Sequence, residues 1–356
     1  MTSFDPPAAD VAEVVLLGPR YGEAICVHLG DNRWITIDSC LHGRSARPAA
    51  LYYFDQIGVD PSNIEMIFAT HWHDDHVRGL SQLVAASPGA SVVIPEAMGK
   101  KEFVTLAAAY GQGALTSGIK ELYGIYSSGR KLKTAGADKI LLEGQTSAGK
   151  FEVWALSPSS EEFIRAVQAV GALIPVKGQP MASVSGRGPN HLAMVLLIKT
   201  GETNILLGAD LEQDGSEELG WNAVLSTIAV RGVSCSLFKV PHHGSRTAYN
   251  VAVWEQVLGP SPVGVVTPFH HGRSKLPTDD EVARIKQHTP SLFITTKVPL
   301  ARPKVKKSSL IENDIAQRTL NGLFVEPSEP GIIRCRTVVG ESQHWQVGLM
   351  AGAAAL

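Results

Sequence analysis

Read for its alternation of apolar and polar positions, the chain opens as a series of short strands. Residues 11–17 form an apolar run that stops at Gly18-Pro19-Arg20-Tyr21-Gly22. Runs 24–29 and 33–37 follow, joined by Gly30-Asp31-Asn32, which predicts a hairpin. Residues 49–58 carry a helical period, 64–69 read as a buried strand, 75–86 as a helix and 91–95 as a strand. From 99 to about 129 the chain is rich in Ala, Leu and Tyr and free of Pro, so a helical insertion over about 99–135 is expected. Residues 151–156 predict a strand. Residues 157–170 predict a helix, with Ser157 as N-cap, Pro158 at the first helical position and Glu161 and Glu162 close behind. Runs 194–198 and 204–207 flank a turn at Lys199-Thr200-Gly201-Glu202, and strands at 237–240, 263–267, 331–339 and 344–349 complete the pattern. Such alternation of strand and helix indicates an α/β or layered αββα protein.

One regularity stands out from this pattern. Predicted strands end on polar residues able to bind or support a metal: Asp38, His71, Asp210 and His243. A layered fold builds a site by depositing such groups along one rim of its sheets.

Composition narrows the class. With 356 residues, 44% hydrophobic and 19% charged, the chain can bury a large core, which excludes global disorder. A net charge of −2 argues against a surface that is wholly a nucleic-acid clamp. Local basic stretches remain: Lys100-Lys101, the segment from Lys120 to Lys133, and the run Lys297, Arg302, Lys304, Lys306 and Lys307. A solvated face is the ordinary reading of such runs and phosphate attraction the sharper one. The four cysteines are scattered without a CxxC pair, no basic n-region precedes an apolar core, and no apolar run reaches membrane-spanning length. The expectation is a cytoplasmic protein with no membrane partner.

The twelve histidines matter by address, since seven fall in three groups: His71, His73 and His76; His242 and His243; His270 and His271. The first group lies in His71-Trp72-His73-Asp74-Asp75-His76-Val77-Arg78-Gly79, an H-x-H-x-D-H-x-x-G pattern. Three imidazoles and a carboxylate so close together offer the nitrogen and oxygen donors that zinc and manganese accept.

On these residues the chain resembles the metallo-β-lactamase-fold hydrolases, over roughly residues 11–300. Asp38, Asp210 in Leu206-Leu207-Gly208-Ala209-Asp210 and His243 follow in the family's order. Gly22-Glu23-Ala24, the segment from Asn190-His191 to Leu196, and Lys239-Val240-Pro241-His242-His243-Gly244-Ser245 are similar to the nuclease-like domain of ComEC-type DNA-uptake proteins. Free-standing relatives of that branch include a phosphorylcholine esterase. The resemblance implies a four-layer αββα sandwich with the insertion at about 99–135, and a C-terminal extension, 301–356, packed on the same domain.

It also implies two divalent ions, zinc first and manganese second, about 3.5–4 Å apart, activating water and stabilising the attacking and leaving oxygens. His71 and His73 would hold one ion, completed by His191 or water. Asp75, His76 and His243 would hold the other, and Asp210 would bridge. Either Asn190 or its neighbour His191 could face the metal. Asp38 is expected to orient His71 or His73. Asp75 and His242 are the catalytic candidates, His242 protonating a leaving group or contacting phosphate, unless it merely diverges from His243 into solvent. Lys239 and His271 are candidate substrate contacts.

The function implied is phosphodiester hydrolysis, with nucleic acid as one possible substrate. The alternatives are a small-substrate esterase or lactonase, and a metal-bound subunit serving a protein partner, as in bacterial defence complexes.

Overall fold

The computed structural model of the chain describes residues 4–43, 46–101, 103–105, 117–130, 132–173, 188–272, 274–297, 330–338 and 344–356. Two eight-stranded sheets face each other. The first contains β1 (Val11–Gly18), β2 (Ala24–His28), β3 (Trp34–Ile37), β6 (Ile64–Phe68), β7 (Ser91–Pro95), β8 (Leu132–Ala135), β18 (Gly331–Val338) and β19 (Gln346–Met350), in the spatial order β19-β18-β1-β2-β3-β6-β7-β8. The second contains β9 (Lys139–Thr146), β10 (Gly149–Ala155), β11 (Leu196–Thr200), β12 (Thr203–Leu207), β13 (Cys235–Lys239), β14 (Leu258–Val266), β17 (Leu292–Ile294) and β20 (Ala354–Ala355), ordered β20-β17-β14-β13-β12-β11-β10-β9. Two small ribbons, β4 (Leu41–His42) with β5 (Arg47–Pro48) and β15 (Phe269–His271) with β16 (Ser274–Leu276), lie outside the sheets.

Strands that read as continuous apolar runs do so because both their faces are covered. On β1, Val14 and Leu16 enter the layer between the sheets, where they join Phe151, Val153 and Ile198. Val15 and Leu17 face the other way, into a layer shared with Tyr53 and Phe54 of α1 (Ala49–Ile57), Leu83 and Leu122. On the far side, Leu197, Leu206 and Phe238 of the second sheet pack against Trp221, Trp254 and Ile285 of its covering helices. These three apolar layers make the expected αββα sandwich.

Three expectations change. The helix predicted over 75–86 is two helices, α2 (Asp74–Val77) and α3 (Leu80–Ala86), broken where Gly79 takes a φ of 80°. Ser157 is not an N-cap: its hydroxyl donates to Ala193 O (2.6 Å) and accepts from Val195 N (2.8 Å). The helix starts at Ser160, behind a capping box in which Ser159 and Glu162 exchange hydrogen bonds. The interval 99–135 is only partly helical, since α4 (Ser117–Ser127) is followed by strand β8, and β9 was not anticipated at all. The edge strand β9 has only a short apolar run, Ile140-Leu141-Leu142, set among exposed Lys139, Glu143 and Gln145, a weaker signal than that of an inner strand.

Among the described residues of 301–356, β18 pairs with β1 along its whole length, Val11 opposite Val338 through Gly18 opposite Gly331, and β20 pairs with β17. A Cβ on Gly331 would fall 1.4 Å from Thr295 O. Gly331→Ala is therefore expected to destabilise the protein by about 3 kcal/mol or more in urea unfolding, because backbone must move. An unchanged midpoint would mean that the strand does not sit in this register. No helix among the described residues is long and apolar enough to cross a membrane.

Candidate metal centre

Strands of both sheets deliver their C-terminal ends to one rim. β3 leads to Asp38, β6 to Thr70 and His71, β12 to Asp210, β13 to His242 and His243, and β14 to Thr267. The backbone there is strained: Asp38, Ala209, His242 and His243, none of them glycine, have φ of 59°, 44°, 43° and 54°. Cross-links such as Asp38 N to Phe68 O (2.8 Å) and His242 N to Ala209 O (3.0 Å) hold these turns.

Hydrogen bonds then set the ring orientations. Asp38 accepts from Thr70 N and Thr70 Oγ1 (both 2.7 Å) and from His76 Nδ1 (2.7 Å). Having given its proton to Asp38, the Thr70 hydroxyl is left to accept from His71 Nδ1 at 3.0 Å. His243 Nδ1 faces Thr267 O (3.2 Å) and Thr267 Oγ1 (3.1 Å). In all three rings Nδ1 is engaged by a neighbouring oxygen, and Nε2 is turned inward toward the other donors of the site.

Two donor groups result: Asp75, His76, Asp210 and His243, and His71, His73 and Asp210, with the ligand atoms of each group within 4.8 Å of one another. His71 Nε2 lies 3.2 Å from His73 Nδ1. His76 Nε2 lies 3.3 Å from Asp210 Oδ1, and His243 Nε2 lies 3.3 Å from Asp75 Oδ2 and 3.5 Å from Asp210 Oδ2. Asp210 is common to both groups. Asp38 also lies near His71 and His76, but its oxygens are already committed to Thr70 and His76.

The residues fit divalent ions on one direct observation. His76 Nε2, His243 Nε2, Asp210 Oδ1 and Asn190 Oδ1 are all buried without a hydrogen-bond partner. Orphaned polar atoms are costly inside a protein, and cations would satisfy these together.

The charges respond to one another. Burial works against ionising Asp210, yet His76 and His243 outweigh it and hold the carboxyl well below its usual range. Asp75 is likewise lowered against burial, by His76 and then His243. Conversely, burial disfavours protonated His76, but Asp210, Asp38 and Asp75 together keep its pKa well above the ordinary value. His71 goes the opposite way, lowered by burial and by its histidine neighbours.

The structure thus brings together His71, His73, Asp75, His76, Asp210 and His243. Asp38 supports His76 directly and reaches His71 only through Thr70, so its expected partnership with His71 or His73 is corrected. Asn190, not His191, faces the site: Asn190 Nδ2 donates to Glu212 Oε1 (2.7 Å), while His191 lines a separate recess with Glu162, Arg165 and Asp214. Neighbours in the tight turn Asn190–Leu192 point apart, which removes His191 from the ligand set.

His242 lines the cavity above the site, with Nδ1 near Thr247 Oγ1 (3.1 Å) and Glu212 Oε1 (3.3 Å). Burial lowers its pKa, so its ring is poised to be neutral and a poor proton donor to a leaving group. Lys239 is also corrected. It is fully buried behind Asp210 and cannot touch substrate, and although burial disfavours its charge, Glu23 and Asp210 raise its pKa. His271 is exposed and packs at a tilt against Tyr21 with ring centroids 5.0 Å apart, and it is Tyr21 that lines the cavity. Of the basic run, Lys297 is among the described residues; Arg302, Lys304, Lys306 and Lys307 lie outside them.

A cavity of about 530 Å³ opens over the donors. Trp72 forms part of its wall, against Phe103, as does Ile119 of α4. Sequence reasoning missed Tyr21, Asp74, Ile119, Glu212 and Phe269 in this lining. Asp74, Glu212 and Phe269 stood beside residues already singled out and carried a readable hint; Tyr21, from the turn after β1, and Ile119, from α4, carried none.

Residues 17–141 match the family model of the metallo-beta-lactamase superfamily. No curated protein matches the chain. Among solved structures the chain is similar to the metallo-beta-lactamase fold protein YhfI from Bacillus subtilis (13% identity, TM-score 0.42, covering 80% of this chain and 95% of that one). It is also similar to MIM-2 metallo-beta-lactamase (15%, 0.38, 81% and 94%). A third is MEM-A1, a subclass B3 metallo-beta-lactamase from a soil metagenome library (16%, 0.37, 68% and 82%). The match to that family model thus rests on residues 17–141, and the described residues form an αββα sandwich whose rim gathers Asp and His residues suited to binding metal ions.

Proposed function

We propose that the chain is a divalent-metal hydrolase acting on phosphodiesters. The observation that carries this reading is the shared carboxylate: Asp210 joins two imidazole-bearing donor groups at the floor of one cavity. His71 and His73 would hold one ion, and Asp75, His76 and His243 the other, with Asp210 shared between them. Such a donor set suits zinc first and manganese second. Ions held there supply activated water near neutral pH and stabilise charge on attacking and leaving oxygens. His242, oriented by Thr247 and Glu212, faces the space where substrate would lie and can accept a proton or contact a phosphate oxygen there.

The cavity favours a compact diester over a polynucleotide. No Lys or Arg lines it among the described residues, so phosphate attraction would fall to the ions alone. Its walls include Tyr21, Trp72, Ile119, Phe269 and Leu276. Those apolar walls also keep a second reading in play, a small carboxylic ester or lactone. Among the described residues all four cysteines are buried and free, in keeping with a reducing cytoplasm.

The test begins with protein purified without chelator, expected to hold about two ions per chain; fewer than one would sink the proposal. Bis(p-nitrophenyl) phosphate, single- and double-stranded DNA, RNA, p-nitrophenyl acetate and a simple lactone are then compared with zinc and with manganese. Hydrolysis of the small diester, reduced by about 100-fold or more in Asp75→Ala, is the expected result. Turnover of the ester or lactone alone would favour the second reading. Silence throughout, with Asp75→Ala behaving as wild type in the cell, would leave a metal-bound subunit acting through a protein partner.

A further inference from the structure

Lys239 ends β13 fully buried, a position where a charge is costly unless it is paired. Its Nζ donates to Ala209 O (2.8 Å) and lies 2.7 Å from Glu23 Oε1 and 3.7 Å from Asp210 Oδ1. Glu23, itself 1% exposed, accepts on its other oxygen from the Thr267 hydroxyl. That same threonine holds His243 Nδ1 through its carbonyl and hydroxyl. Finally, Glu23 N donates to Asp75 O at 2.8 Å, tying the first hairpin to the motif helix.

One buried ion pair thus touches three of the four members of a single donor group. Lys239 reaches Asp210 through space, Glu23 reaches His243 through Thr267, and the Glu23 backbone reaches Asp75. We propose that Glu23 and Lys239 are a positioning pair for the ion held by Asp75, His76, Asp210 and His243. This rests on the metal-hydrolase reading above. Lys239 fixes the Asp210 carboxylate from behind and occupies Glu23, so that Glu23 cannot collapse toward the ion as an additional anionic ligand. Glu23 in turn fixes the Thr267 hydroxyl as a donor to itself, which leaves that oxygen to accept from His243 Nδ1 and keeps Nε2 pointed at the site.

The test separates positioning from simple packing. Lys239→Met alone strands a buried carboxylate and can fail to fold, so the informative variant is the double Glu23→Gln/Lys239→Met, which removes both charges together. Thr267→Val is its companion, cutting the link to His243 with little change of volume. Metal-free wild type and variants are titrated with zinc against a chromogenic chelator, and with cobalt for its ligand-field spectrum. Thermal unfolding of the metal-free forms is followed in parallel. Expected is a loss of about 10- to 100-fold in affinity for one of two ions, with an altered cobalt spectrum, in both variants. The other ion should bind as in wild type. Wild-type affinities and spectra with only a lowered unfolding temperature would overturn the positioning role and leave a packing role. A wild-type protein that takes up no ion would overturn the metal-hydrolase reading itself, and this proposal with it.

Discussion

Asp210→Asn is expected to lower hydrolysis by about 1,000-fold or more, equivalent to about 4 kcal/mol in the barrier, and to leave at most one ion bound per chain. The reasoning is geometric. Asp210 is the residue shared by the two donor groups, with Oδ1 3.3 Å from His76 Nε2 and Oδ2 3.5 Å from His243 Nε2 and 4.0 Å from His71 Nε2. Asparagine keeps the volume and removes the charge, so the loss is not a packing effect. It also withdraws the anion that raises the pKa of His76 and His243 in the metal-free state, and leaves Lys239 with Glu23 as its remaining close carboxylate. Metal content, circular dichroism and turnover measured on one preparation check this. A folded variant with two ions and near-normal turnover would remove Asp210 from the centre.

The contrast between Asp210 and Lys239 shows what sequence can disclose. The ligand side chains were legible because they are polar groups at the ends of apolar strands, a position where burial of a carboxylate or imidazole needs a reason. Asp38 was legible as a support but not as the support of His76, because its bond spans 38 positions and depends on how two loops close. Lys239 was read as a substrate contact. Along the chain it looks like the first charged residue after an apolar run, and its partner Glu23 sits 216 positions away. Only the pairing of the two sheets puts that carboxylate 2.7 Å from the ammonium. Asn190 and His191 could not be separated by spacing either, since the turn that parts them has no period. The sandwich was readable from strand and helix alternation. The break at Gly79 and the edge strand β9 were not, the first because a single φ of 80° decides it, the second because an edge strand needs only a short apolar run, here Ile140-Leu141-Leu142.

The second large effect concerns pH in the metal-free protein. His76 and His243 are protonated more readily in the folded chain than in the unfolded one, because their carboxylate neighbours outweigh burial. A raised histidine contributes stability that is fully present below its ordinary value of 6.5 and is lost as pH climbs through the folded value. His71 and His242 are lowered chiefly by burial, and His28 is pushed down by burial to about 4. Their contribution has the reverse sign, present above 6.5 and lost as pH falls toward their folded values. Metal-free stability should therefore peak near pH 6.5 and decline on both sides. Zinc needs the lone pairs that protons occupy at His76 and His243, so its binding releases protons and strengthens with pH. Two ions at about 1,000 times their dissociation constants would add about 4 kcal/mol each, an unfolding-temperature gain on the order of 10 °C. That gain should grow as pH rises through the raised values of His76 and His243 and shrink as pH falls below 6.5. Thermal scans with and without zinc across this range decide it, and a gain that shrinks as pH rises would contradict the exchange of protons for metal at Asp75, Asp210, His76 and His243.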